Sequence, residues 1–249
     1  MKRVIAWRNR PLIMGVLNVT PDSFFDGGKY STTEEAVSHA LYMIDEGADI
    51  IDVGGESTRP FSKPVSVEEE LKRVIPVIEG IRKTSYIPIS IDTSKEKVAK
   101  EACNAGADIV NDISGMSFDK NMADTVCNTG AQIVIMHIKG TPEDMQNNPY
   151  YENVVSEICE FFKERISFAN KHGIENDCII LDPGIGFGKR VSDNLAIIKN
   201  LKVFKEFKMP ILIGTSMKSF IGHVTNSPLN ERMEGTLASI AISIWNGAD

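Results

Sequence analysis

Polar residues stand wherever the apolar runs of this chain stop. Val16-Leu17 is followed by Asn18, Ile50-Ile51 by Asp52 with Glu56 beyond it, and Ile89-Ser90-Ile91 by Asp92. Ile109-Val110 gives way to Asn111-Asp112, Val134-Ile135-Met136 to His137, and Ile179-Ile180-Leu181 to Asp182. Ile211-Leu212-Ile213 leads into Gly214-Thr215-Ser216-Met217-Lys218. Residues at such exits also cap helices and begin turns, a role that suits Thr20, Ser57, Thr93 and Ser94. It suits Asp92, Asn111 and Asp182 less well, because each follows a hydrophobic run directly and has a better cap candidate after it. Carboxylates, a carboxamide and the Lys218 ammonium on one rim offer donors and acceptors in a plane. That set fits the edge of a flat heterocycle bearing ring N–H, amine and carbonyl groups. Thr58 and Arg59 present donors suited to a phosphate. Asn18 offers an oxygen to Mg2+, an ion that keeps water and substrate phosphate in its shell.

Other groupings carry less. His137 closes an apolar run, where a His is more often hydrogen-bonded core than ligand, and no histidine pair has the spacing of a zinc site. Gly184-Ile185-Gly186-Phe187-Gly188-Lys189 is neither a dinucleotide fingerprint nor a Walker loop, since Pro183 stands where the first Walker Gly belongs. Its glycines are expected to let the backbone approach a ligand closely.

The elements that must position these residues repeat as one unit: a β-branched run, a turn, then an amphipathic helix closed by Gly. After the run 13–19, a helix opens at Ser31 or Thr32, with Glu34 and Glu35 at capping-box spacing and Gly47 at its end. After 50–53, Ser66 and Glu69 repeat the cap, and Val67, Leu71, Val74, Ile75 and Ile78 share a face. Further strands are predicted at 87–91, 109–113, 132–136, 178–181 and 210–213, with helices that include 151–172 and a last one over 233–245. Alternating βα units with continuous apolar strands imply a parallel sheet buried on both sides. All the strand exits then share one face, where open doubly wound sheets and closed barrels alike place their sites.

Composition bounds the rest. The 249 residues are 42% hydrophobic and 24% charged, which excludes a disordered chain. That length suits one α/β barrel, and with no linker or composition break, residues 1–249 read as one domain. The net charge of −7, with no basic run, argues against nucleic acid as a partner. No stretch reaches the length of a membrane span and no signal peptide opens the chain, so neither membrane nor export is expected. Cys103, Cys127, Cys159 and Cys178 lie far apart and read as reduced thiols of a cytoplasmic protein.

Several motifs resemble signatures of the dihydropteroate synthase family. They are Ile13-Met14-Gly15-Val16-Leu17-Asn18-Val19-Thr20-Pro21-Asp22-Ser23-Phe24 and Asp52-Val53-Gly54-Gly55-Glu56-Ser57-Thr58-Arg59-Pro60, then Ile91-Asp92-Thr93, Asn111-Asp112-Ile113 and Met136-His137. Leu181-Asp182-Pro183-Gly184 and Lys218-Ser219-Phe220-Ile221-Gly222 complete the order across nearly the whole chain. The resemblance implies a parallel (β/α)8 TIM-type barrel. It also implies displacement of pyrophosphate from 6-hydroxymethyl-7,8-dihydropterin diphosphate by 4-aminobenzoate, with Mg2+ as cofactor and a homodimer as the assembly. Carried onto this chain, Asp92, Asn111, Asp182 and Lys218 bond the pterin, and Met136 and Phe187 wall it. Asn18 holds Mg2+, Thr58 and Arg59 bind the diphosphate, and Phe24, Pro60 and Ser219 flank the aminobenzoate. The chemistry falls to Asp92, Asp26, Lys218 and Arg59, with the two carboxylates facing a cationic methylene.

Two departures temper the match. Met217 stands where the family has Arg, and no segment corresponds to the family's eighth strand. Seven βα units are counted, and the last residues, Asn246-Gly247-Ala248-Asp249, look like the opening of an eighth. A non-catalytic pterin-binding protein and a related barrel that moves a methyl group from a folate to a corrinoid are the competing readings.

Overall fold

The computed structural model describes residues 10–20, 32–59 and 62–249. Six strands are found: β1 (Met14–Asn18), β2 (Ile50–Gly54), β3 (Ile89–Asp92), β4 (Ile109–Asp112), β5 (Gln132–Met136) and β6 (Ile179–Asp182). All pair in parallel and in chain order, β1-β2-β3-β4-β5-β6. A doubly wound sheet reverses its order so that helices cover both faces. An unreversed order with crossovers of one hand puts every helix on the same side, which curls the sheet into a barrel. The fold is thus of the (β/α)8-barrel class.

The helices are α1 (Thr32–Asp45), α2 (Val67–Arg82), α3 (Glu96–Ala105), α4 (Met122–Thr129), α5 (Val154–Lys171), α6 (Val191–Lys199), α7 (Ser219–Thr225) and α8 (Met233–Trp245). Caps read from sequence do the expected work at α2, where Ser66 Oγ accepts from Glu69 N at 3.2 Å. The predicted helix over 151–172 starts a little later, at Val154, because Asn153 Oδ1 accepts from Ser156 N at 3.1 Å and fixes the first turn there. The short α7 went unpredicted, being too brief to show a helical period.

Strand parity divides the apolar residues between two cores. Ile50, Ile109, Val134 and Ile180 fill the barrel interior with Leu12, Met14 and Leu212. Their neighbours Ile51, Val110, Ile133, Ile135, Ile179 and Leu181 face outward and pack under the helices. Burial on both faces is why the strands read as unbroken apolar runs.

The seventh strand predicted over 210–213 is reduced to a single parallel bridge between Leu181 and Ile211. Leu181 N donates to Pro210 O and Leu212 N to Leu181 O, each at 2.9 Å, but Pro210 has no N–H to extend the ladder. On the far side only Asp249 pairs with this segment, and no ladder forms there among the described residues. Its N donates to Ile211 O at 2.9 Å, its carbonyl accepts from Leu12 N at 2.6 Å, and its Oδ2 accepts from Ile211 N at 2.8 Å. Asp249 thereby links the seventh segment to the lead-in of β1. No helix of the described residues is long and apolar enough to cross a membrane.

Candidate active site

The inner face of most strands changes from apolar to polar at the strand's end, with Met136 of β5 an exception. Ile50 is followed on the same side by Asp52, Ile109 by Asn111, Val134 by Met136 and Ile180 by Asp182, while β1 leads to Asn18 and β3 to Asp92. Side chains alternate along a strand, so the residues ending these runs project into the barrel mouth rather than onto the helices. There they line one cavity of about 810 Å³, together with Thr58, Arg59, Phe187 and Lys218. Most of the predicted site residues are thus brought together. Ser219 does not line the cavity; it opens α7 beside Lys218, exposed to solvent. Phe24, Asp26 and Pro60 lie outside the described residues.

Burial sets the electrostatics of the floor of this cavity. It raises the carboxyl pKa of Asp52 and of Asp182, and raises Asp92 well above the ordinary range, with the negative charge of Asp52 adding to the shift. Asp52 Oδ1 and Asp92 Oδ1 are buried with no hydrogen-bond partner among the described residues. Asp52 Oδ2 accepts one N–H of Asn111 Nδ2 at 3.1 Å, which orients Asn111 Oδ1 as an acceptor. Asp182 Oδ1 accepts from Gly184 N at 2.7 Å. Burial lowers the Lys218 ammonium to about 8 although the Asp182 charge resists this. Lys218 Nζ donates to Ile185 O and lies 4.6 Å from the centre of the Phe187 ring. Acceptors without donors in a dry floor favour a ligand that brings N–H groups.

The mouth is cationic. Lys63 and Arg73 line the cavity beside Arg59, and neither was singled out from sequence. Arg73 Nη1 donates to Gly55 O at 2.8 Å. The Glu56 carboxylate accepts from Val65 N at 2.8 Å and from Lys95, which also bridges to the fully buried Glu70. These bonds tie the segment bearing Thr58 and Arg59 to α2 and to the start of α3. Asn18 Oδ1 and Asp92 Oδ2 approach the same point over Gly54, where a Cβ would lie 3.7 and 3.5 Å from them.

His137 is core rather than ligand. It is buried, its pKa is pushed down to about 2 by burial and then by the Lys189 charge, and its ring meets Phe161 edge-on at 5.0 Å. No group of three or more His, Cys, Asp or Glu is placed to hold a metal among the described residues. The glycines of 184–188 correct an expectation. A Cβ on Gly184 would lie 2.0 Å from His137 O, and one on Gly188 2.3 Å from Lys139 O. For these two the close approach is to the backbone after β5, whereas Gly186 faces the side chain of Lys218, its nearest atom Cδ at 3.2 Å. Met217 has φ +55°, and its Sδ lies 3.7 Å from Thr236 Oγ1 of α8, away from the cavity lining.

A barrel whose mouth offers buried acceptors beside a cationic rim defines a class, and comparison with known proteins supplies it. Residues 14–249 match the family described as pterin binding enzyme. A dihydropteroate synthase of Clostridium beijerinckii is 48% identical over 239 residues, covering 96% of this chain and 86% of that protein. The Xanthomonas albilineans dihydropteroate synthase solved with 4-aminobenzoic acid superposes with a TM-score of 0.91 at 41% identity, covering 96% of this chain and 86% of that one. The same enzyme in complex with 7,8-dihydropteroate gives 0.88 at 39% identity, with the same coverage. The chain belongs to the dihydropteroate synthase family.

Proposed function

We propose that this chain joins 6-hydroxymethyl-7,8-dihydropterin diphosphate to 4-aminobenzoate, giving 7,8-dihydropteroate and pyrophosphate in folate synthesis. Family membership carries the reaction. The convergence of Asp92, Asn111, Asp182 and Lys218 in one cavity supports its assignment to this site.

The pterin edge lies against Asp92, Asn111 Oδ1 and Asp182, which take its N–H and amine donors, while Lys218 donates to its carbonyl. Met136 and Phe187 hold the ring between them. Thr58 and Arg59 bind the diphosphate oxygens, with Lys63 and Arg73 adding positive charge. The convergence of Asn18 Oδ1 and Asp92 Oδ2 over Gly54 fits a Mg2+ held by few protein oxygens, with Asn18 as its ligand. When bound, that ion neutralises charge on the departing diphosphate. Phe24, Pro60, Ser219 and the stem of Lys218 flank the aminobenzoate.

In the reaction the C–O bond to the diphosphate breaks and its electron pair leaves with pyrophosphate. The aminobenzoate nitrogen then supplies the pair for the new C–N bond and sheds a proton. The methylene is cationic between these events, and the carboxylates of Asp92 and Asp26 stabilise it. Arg59 neutralises the leaving group and Lys218 orients the ring. Residues 1–249 act as one domain, in the cytoplasm, where the thiols of Cys103, Cys127 and Cys159 are at home. The active form is a homodimer. Support comes from the outward face of α8, which exposes Met233, Leu237 and Trp245 while Thr236, Ser239 and Ser243 turn inward.

A coupled pyrophosphate assay tests this reading. Pyrophosphate should appear at roughly 1 s⁻¹ or faster, an ordinary enzymic rate, and only when aminobenzoate is present. Binding of the pterin diphosphate without release would instead favour a non-catalytic binder. The Met217→Arg variant assayed beside it measures what that position contributes.

A further inference from the structure

The segment 183–188, between β6 and α6, carries Phe187 into the cavity wall. Four consecutive carbonyls in it are each held by a side chain. Ile185 O accepts from Lys218, Gly186 O from Gln146 Nε2 at 2.8 Å, Phe187 O from Lys189 Nζ at 2.9 Å, and Gly188 O from Tyr151 OH at 2.8 Å. Gly186 N in turn donates to Asn194 Oδ1 at 2.7 Å. Irregular backbone fixed at so many points is a pre-shaped wall rather than a loose connection.

Lys189 differs from the other three donors because it also reaches β5. Its Nζ lies 3.1 Å from His137 O and 3.0 Å from His137 Nδ1, and the residue is 4% exposed. No carboxylate is within ion-pair distance of it among the described residues. Burial drives its pKa well below the ordinary lysine value, so the bonding must tolerate either protonation state. It does. An ammonium gives two N–H to the carbonyls of His137 and Phe187 and the third to an unprotonated Nδ1. A neutral amine keeps the same two bonds and turns its lone pair to an Nδ1–H. The clasp between the end of β5 and the Phe187 backbone holds in both.

Both ends of this clasp border the cavity. His137 follows Met136, and Phe187 follows the turn anchored on Asp182 through Gly184 N. We infer that Lys189 is a positioning residue for pterin binding, fixing the Phe187 ring and the Asp182 turn relative to Met136 across the ring-binding slot. The inference rests on the pterin reading of this cavity given above. Lys189 itself touches no cavity surface and is not a catalytic residue.

The test is steady-state kinetics on the full chain with Lys189→Met, Lys189→Gln and Phe187→Ala beside the unaltered protein. Both Lys189 variants should raise KM for the pterin diphosphate roughly tenfold, the effect of losing a buried hydrogen bond. KM for aminobenzoate should move by less than about twofold on the same grounds, since the clasp does not border that half of the site. Hydrogen exchange of the 184–188 amides should speed up while that of β2 to β4 stays unchanged. A raised pterin KM in Phe187→Ala with none in the Lys189 variants would overturn the inference and leave the pocket reading standing. An unchanged pterin KM in Phe187→Ala would overturn both. If circular dichroism shows that neither Lys189 variant folds, the residue is a structural support and the positioning role is wrong.

Discussion

Asp92, proposed above to serve binding and chemistry, is held at a cost to stability. Its buried Oδ1 has no partner among the described residues, and burial together with the Asp52 charge raises its proton affinity in the folded protein. The native state therefore binds more protons than the unfolded chain once pH exceeds about 4, where free carboxylates ionise. Stability from this group is greatest below that point and is lost as pH rises toward the raised folded value. The Asp92→Asn variant removes the loss, so the difference between urea midpoints at pH 5 and pH 8 should shrink. The same variant should lower kcat about 100-fold at saturating substrates, the usual effect of removing a preorganised charge. Near-normal turnover would sink its role in stabilising the cationic methylene. The residue type and its place after an apolar run made Asp92 legible. Its missing partner was not, because that depends on what faces it from β2 and β4.

At the scale of elements, the turn after β6 is the most constrained piece of the site. Gly184 has φ +70° and its α-carbon faces His137 O so closely that a methyl would sit 2.0 Å away. Gly184→Ala should cost about 2 kcal/mol or more, since the left-handed conformation alone costs 1–2 kcal/mol for an L-residue. Chemical denaturation measures it. Gly186→Ala carries the same conformational strain but meets the flexible Lys218 Cδ at 3.2 Å, so its packing cost is smaller. The glycine pattern was visible in sequence, and the purpose of Gly184 and Gly188 was misread. A glycine announces a close approach or a positive φ without naming the neighbour, and here the neighbour is backbone 47 residues distant at His137. The Ser66 cap was read correctly because its partner, Glu69, is three residues away.

For the whole molecule, the outward stripe of α8 bears on assembly. A helix with small polar residues buried and Met233, Leu237 and Trp245 exposed is inverted for an isolated molecule in water. If the proposed homodimer forms through this stripe, Leu237→Glu should give monomers in sedimentation, because a desolvated charge at an apolar contact costs several kcal/mol. A variant with the sedimentation coefficient of the unaltered protein would place the dimer contact elsewhere. Sequence alone determined the positions of the six strands and the longer helices, which strand exits are polar, and hence that those polar residues gather at one end of a parallel sheet. Those signals are local, set by side-chain period and by caps within a turn of each other. Only the tertiary structure decided that the strands pair in unreversed order as a barrel and that 210–213 makes one bridge instead of a full strand. It alone showed Lys189 bonded behind the cavity wall and Asp52 bonded to Asn111 on its floor. Strand order, bridging and buried clasps join residues far apart in the chain, and each depends on which surfaces meet once the sheet has curled.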